Sequence, residues 1–323
     1  MATSTLAGAT AKAMPLSVPA RDGFALAAVL FEPSTPAPAN APIVVIASAT
    51  ATPQGFYARF ASFLVENGVA AAITFDYRGV GGSMPPSKSL RGFVADINDW
   101  ARLDTPGVTD FMRARFGTSR ELVAVGHSVG GHMIMLHPDQ EHVARSVQVT
   151  VGTAYYGSYT FPKSMRMAVM HYVLFPGLVA LYDYLPSGDL NIAGLTNLPG
   201  GVGKQWSYWS RARSYFAREP ENAAHARAWT GKSMLLSFTD DNSIDARHTS
   251  DMLEFVPNGQ VEWIYLDPAD LGLSKVDHMG FFFKAMREAL WKPVLKYILT
   301  GEIPPELATK NRRLSKPPLR AKL

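Results

Sequence analysis

The sequence predicts an α/β fold with a mainly parallel central sheet, helices on both faces and an inserted, mostly helical cap. Three observations carry that expectation. Short β-branched runs alternate with amphipathic stretches of helical spacing. The run Ile43-Val-Val-Ile46 is apolar on every residue, as a strand covered on both faces must be. The alternation stops over residues 152–230 and then resumes. The expected core is therefore 14–151 with 231–300, the cap is 152–230, and 1–13 and 301–323 are expected to be flexible tails.

Taken in order, residues 16–18 and 24–31 read as a hairpin turning at Arg21-Asp22-Gly23. A Pro- and Ala-rich loop follows, then the buried strand Ile43-Val-Val-Ile46, which runs into Ala47-Ser-Ala-Thr-Ala-Thr-Pro53. Those small side chains let the backbone come close to a ligand. Residues 56–67 have helical spacing, with Phe60, Phe63 and Leu64 on one side and Gly68 as the cap. Strand 69–75 leads into the glycine-rich turn 76–83, and 96–115 reads as a helix broken near Thr105-Pro106-Gly107. Further strands are expected at 122–125, 146–151, 233–238 and 261–266, with a helix from about Ala246 and a closing one over 281–300. In the cap, Pro and Gly are expected to break the chain into short helices, its aromatics roofing an apolar pocket. Its apolar run near 167–181 contains His171, Pro176 and Gly177 and falls short of the ~20 residues a membrane helix needs.

Composition narrows the function classes. With 323 residues the chain can bury one large core, and 47% hydrophobic residues exclude a disordered protein. The net charge of +4 owes much to residues 310–322, read as a solvated tail, so no nucleic-acid partner is expected. There is no cysteine, which removes disulfides and thiolate chemistry. The first 14 residues lack the apolar stretch of a signal peptide, so a cytoplasmic protein is expected, with no membrane span and a homodimer as an open possibility.

The chemistry centres on Gly126-His-Ser-Val-Gly130, which follows a strand and opens an apolar helix. This is the pattern of a nucleophile elbow: glycines let strand and helix approach, and Ser128 stands exposed at the strand's carboxyl end. A serine hydroxyl is a weak nucleophile, so the elbow demands a histidine to take its proton and an acid to hold that histidine. Asp240 and Asp241 follow one later strand, and His278 lies on a loop after the last. The N–H of Val129 and one from the loop after Ile46, Thr50 by preference, are the expected oxyanion donors. Tyr155, Tyr156 and Trp206 are the expected substrate contacts. His127, His132, His137 and His142 recur every fifth residue, which scatters them around a helix, so no metal is expected, and no cofactor-binding pattern is present. Gly231-Lys232-Ser233 precedes a strand and is not a phosphate loop.

These segments, together with Ser48-Ala-Thr-Ala-Thr-Pro-Gln-Gly-Phe-Tyr57, Phe75-Asp-Tyr-Arg-Gly-Val-Gly-Gly-Ser83 and Asp267-Pro-Ala-Asp-Leu-Gly-Leu273, resemble the α/β-hydrolase superfamily, and more narrowly its bacterial serine hydrolases of esterase and lipase type. The resemblance implies the α/β-hydrolase fold and carries the roles of nucleophile, acid and base onto Ser128, Asp241 and His278. Asp241 is preferred to Asp240 because in this fold two residues usually separate the acid from the strand's last position, here Phe238. Many members have His-Gly where this chain has Ser48-Ala49, which leaves the second oxyanion donor open. The expected activity is hydrolysis of a carboxylic ester in an apolar acyl substrate. Lactonase, thioesterase, amidase or acyltransferase activity would use the same residues, and a non-catalytic ligand-binding protein on the same fold is the alternative of a different class.

Overall fold

A computed structural model describes residues 10–192 and 195–311. Eight strands form one sheet in the order β1-β2-β4-β3-β5-β6-β9-β10. They are β1 (Ala11–Pro19), β2 (Ala25–Pro33), β3 (Ile43–Ala47), β4 (Ala71–Phe75), β5 (Leu122–His127), β6 (Arg145–Val149), β9 (Lys232–Phe238) and β10 (Gln260–Leu266), while β7 (Tyr184–Leu185) and β8 (Leu198–Pro199) pair separately. The β1–β2 hairpin and the β2–β4 pairing are antiparallel, and every other ladder of the large sheet is parallel.

The β-branched runs explain the central strands. In β3, Ile43 and Val45 join the core on one face with Phe75, Trp100 and Met112. Val44 and Ile46 face the other core, with Phe60, Leu64, Val125 and Trp291. Each such side chain contributes about 1.5–3 kcal/mol by leaving water, so both faces must be covered for the strand to persist. The chain leaves β3 to build β4 on one side and returns to build β5 on the other. The carboxyl ends of β3 and β5 thus flank the crevice where strand order reverses, which is where open sheets of this kind receive ligands.

Several expectations need correction. The first strand begins at Ala11, ahead of the expected core boundary at 14. The expected C-terminal tail is partly core: Leu307 is fully buried, and the Asn311 side chain bonds the Tyr265 amide (2.9 Å) and the Trp263 carbonyl (3.0 Å). The rest of the basic segment, from 312 on, lies outside the described residues. Residues 97–116 form one uninterrupted helical run, because a widened turn, Trp100–Asp104, precedes Pro106. Thr105 N donates to Trp100 O, five residues back, and the turn accommodates the proline ring.

The segment between β6 and β9 holds the helices Lys163–Tyr182, Gly200–Ser210 and Pro220–Ala228. The first is continuous over 20 residues, against the expectation of short pieces, and among the described residues it alone is long and apolar enough to cross a membrane. It too absorbs its proline, Pro176, through a widened turn at Met170–Leu174.

Candidate active site

Strand β5 passes Gly126 and His127 and ends at Ser128, whose backbone sits at φ 52°, ψ −117°. Side chains rarely adopt that conformation, which stores about 1–3 kcal/mol of strain. Neighbouring backbone holds it there. A Cβ on Gly126 would lie 2.6 Å from Gly131 N, and one on Gly130 would lie 2.2 Å from Ala47 O, so the helix Val129–Met135 seats against β3 and β5 only with glycine at both positions. Ser128 N donates to Val149 O (3.0 Å). Its hydroxyl makes no hydrogen bond among the described residues. The Val129 and Thr50 amides likewise have no protein acceptor among the described residues.

The His278 Nδ1–H donates to Asp241 Oδ2 at 2.9 Å, leaving Nε2 as the bare, proton-accepting nitrogen. Asp241 is 3% exposed, and its other oxygen accepts from the Ser243 and Ile244 amides (2.7 and 2.9 Å). Asp240 does different work: its Oδ2 accepts from Val276 N (2.8 Å) and Asp277 N (2.9 Å), fixing the loop that delivers His278. Asp277 bends that loop at φ 56° and accepts from the His278 amide (2.7 Å).

A second chain of bonds runs beneath the elbow. Tyr57 Oη accepts from Ala49 N–H (2.8 Å) and donates to His127 Nδ1 (2.9 Å), and His127 Nε2–H then donates to the His278 carbonyl (3.0 Å). Thr150 Oγ1 donates to the same carbonyl at 3.3 Å. Burial and, secondarily, the nearby His278 push His127 down to about 3, so it stays neutral and its two nitrogens keep these roles. Tyr57 and His127 thus tie the loop after β3 to the loop carrying His278. No local signal in the sequence marks this role, which needs three distant segments to meet.

Ser128, Val129, Thr50 and His278 all border one cavity of about 770 Å³. Its walls are mostly apolar, with Met167, Met170, Phe175, Trp206 and Ile244 among them, and two lysines, Lys163 and Lys275, also reach it. Trp206, expected as a substrate contact, is one of the lining residues. Tyr155 and Tyr156 do not line the cavity: they sit at a short turn where their rings meet edge to face (5.1 Å between centroids) and Tyr156 meets Tyr172 in the same way (5.7 Å). Tyr159 and Tyr215 face the cavity in their stead. Elsewhere, ligand atoms of Asp110, Asp139 and His142 lie within 4.8 Å of one another. There the Arg21 guanidinium supplies the positive charge, bonding both carboxylates.

Sheet order, elbow and crevice together define a class: this chain has the α/β-hydrolase fold. Residues 38–196 match the family model described as Hydrolase_4, serine aminopeptidase S33. Among solved structures, an esterase of Pyrococcus furiosus is similar at 12% identity and TM-score 0.55, over 89% of this chain and 90% of that one. An esterase of Exiguobacterium antarcticum is similar at 16% identity and TM-score 0.56, over 88% and 99%. The α/β-hydrolase GrgF of a Penicillium species is similar at 15% identity and TM-score 0.58, over 89% and 99%. No protein of curated function matches the sequence.

Proposed function

We propose that this protein is a cofactor-independent serine hydrolase that cleaves a carboxylic ester through an acyl-enzyme on Ser128. The observation that carries the reading is the Asp241–His278 bond with His278 and Ser128 on the wall of one apolar cavity. In this reading the Ser128 hydroxyl turns toward His278 Nε2, gives up its proton and attacks the acyl carbon. The oxyanion that forms accepts from the Val129 and Thr50 amides. One such donor lowers the barrier by about 3 kcal/mol, and the start of the helix Val129–Met135 adds partial positive charge. His278 then protonates the departing alkoxide, and water repeats the sequence to release the acid. The 152–230 segment acts as the cap, bringing Met167, Met170 and Trp206 over the acyl chain and excluding water.

The carboxylate on the cavity wall, Asp277, is already paired with Lys275 at 2.8 Å, and Lys163 adds a cation, so the wall does not favour the ammonium of a peptide amino terminus, which argues for an ester. The test is labelling with a fluorophosphonate and turnover of short p-nitrophenyl esters. The expected result is one adduct, on Ser128, with turnover abolished in Ser128→Ala while its circular dichroism is unchanged. An unlabelled serine together with undiminished turnover in the variant excludes the mechanism.

A further inference from the structure

The helix Lys163–Tyr182 presents its apolar side outward. Phe161 is 80% exposed, Val173 65% and Leu181 71%; Met165, Val169 and Tyr172 lie exposed between the first two, and Leu181 extends the stripe to the helix end. At 1.5 Å per residue the stripe runs about 30 Å. A surface helix normally turns such a stripe to the core, and a contiguous exposed one marks a docking surface. The inner side of this helix is already engaged: Met167, Met170 and Phe175 line the cavity, and His171 and Val179 are buried.

We propose that this face docks the protein onto an anionic phospholipid surface, the helix lying in the interface without spanning it. Three features select a lipid over a second copy of the chain. First, 163–182 contains no acidic residue, and its exposed cation is Arg166, with Lys204 exposed on the adjoining helix. Two such faces meeting would set cations against each other, whereas phosphate headgroups complement them. Second, Tyr172 and Tyr208 lie partly exposed beside the stripe, each under an arginine, Arg211 at 4.9 Å and Arg218 at 3.8 Å from the ring centroid. Amphipathic rings with a cation above them suit the headgroup layer. Third, one helix forms both the docking face and a cavity wall, so an acyl chain held in the lipid layer stands next to the site. An open recess lined by Phe161, Met165, Arg166 and Val169 lies on the same face. The docking inference stands on this face and not on the catalytic reading.

The experiment is co-flotation of the full chain with phosphatidylcholine vesicles, with and without phosphatidylglycerol, beside sedimentation of the free protein. The expected result is binding that requires the anionic lipid, weakens with salt, falls more than about tenfold in the Val173→Glu/Leu181→Glu double variant and about fivefold in Arg166→Gln. These side chains are exposed, so turnover of a soluble short ester should stay at the level of the unchanged chain. Ser128→Ala should bind vesicles fully, which separates failure of the docking inference from failure of the hydrolase reading. Absence of vesicle binding overturns the proposal, as does binding indifferent to Val173→Glu/Leu181→Glu. A stable dimer that this double variant splits into monomers also overturns it, by assigning the face to a second copy.

Discussion

At the scale of single residues, two adjacent aspartates separate what sequence states from what only a structure adds. Asp240 and Asp241 follow the same strand and have the same chemistry, so preferring one rested on a habit of the fold. The geometry gives them different partners: Asp241 reaches the imidazole, and Asp240 reaches two amides of the loop that carries it. In Asp241→Asn an amide cannot both hold the Nδ1–H tautomer and stabilise a positive imidazole, so the expected loss in kcat is on the order of 10³–10⁴. Asp240→Asn keeps a carbonyl oxygen for the two amides, and its expected cost is about tenfold or less, with a lower melting temperature. Steady-state kinetics of the two variants check this. Equal losses would mean that the acid role is shared or misassigned. The elbow glycines were legible because a steric demand is local, whereas Tyr57 and His127 were not, because their value arises from loops far apart in sequence.

At the scale of elements, the strands and their order along the chain were legible from β-branched runs, and the helices were legible except where proline intervened. Pro106 and Pro176 read as breaks, yet each, like Pro293, directly follows a widened turn, at Trp100–Asp104, Met170–Leu174 and Arg287–Trp291. Inside a helical run, a turn closed five residues back leaves room for the proline ring. Propensity alone does not reveal that arrangement, because it depends on packing that rewards an unbroken helix. The helix Ala246–Leu253, which follows Asp241, has a clearer start. Asp245 accepts from the Arg247 and His248 amides and bonds His248 Nδ1 at 2.8 Å. Burial alone would raise this carboxyl, but its bonds to His248 prevail and hold it at about 2. A depressed carboxyl contributes stability that is complete above its unfolded value near 4 and is lost as pH falls through 2. Asp245→Ala should therefore cost about 1–2 kcal/mol at neutral pH, and the gap to the unchanged chain should narrow below pH 4. Urea unfolding of both proteins down the acid limb measures it. A gap that stays constant with pH would show that the cap acts without its charge.

At the scale of the whole molecule, the buried histidines tie stability to pH. Burial pushes His127 to about 3 and His132, His137 and His171 to about 4, secondary contributions coming from His278 at His127 and from arginines at His137 and His171. None of the four carries its proton in the folded chain at pH 5, while each takes one near pH 6.5 when unfolded. The unfolded state thus binds more protons across the interval from about 6.5 to 4, and stability must fall as pH falls through it. Four groups titrating together give a slope of up to about 5 kcal/mol per pH unit. Asp76 and Asp96, whose carboxyls burial raises, take up protons earlier in the folded state and offset part of that slope. Urea unfolding at pH 7, 6 and 5 should show falling stability, with a proton uptake between one and four at the steep point. A flat profile would mean that these histidines meet water or an acidic partner in solution.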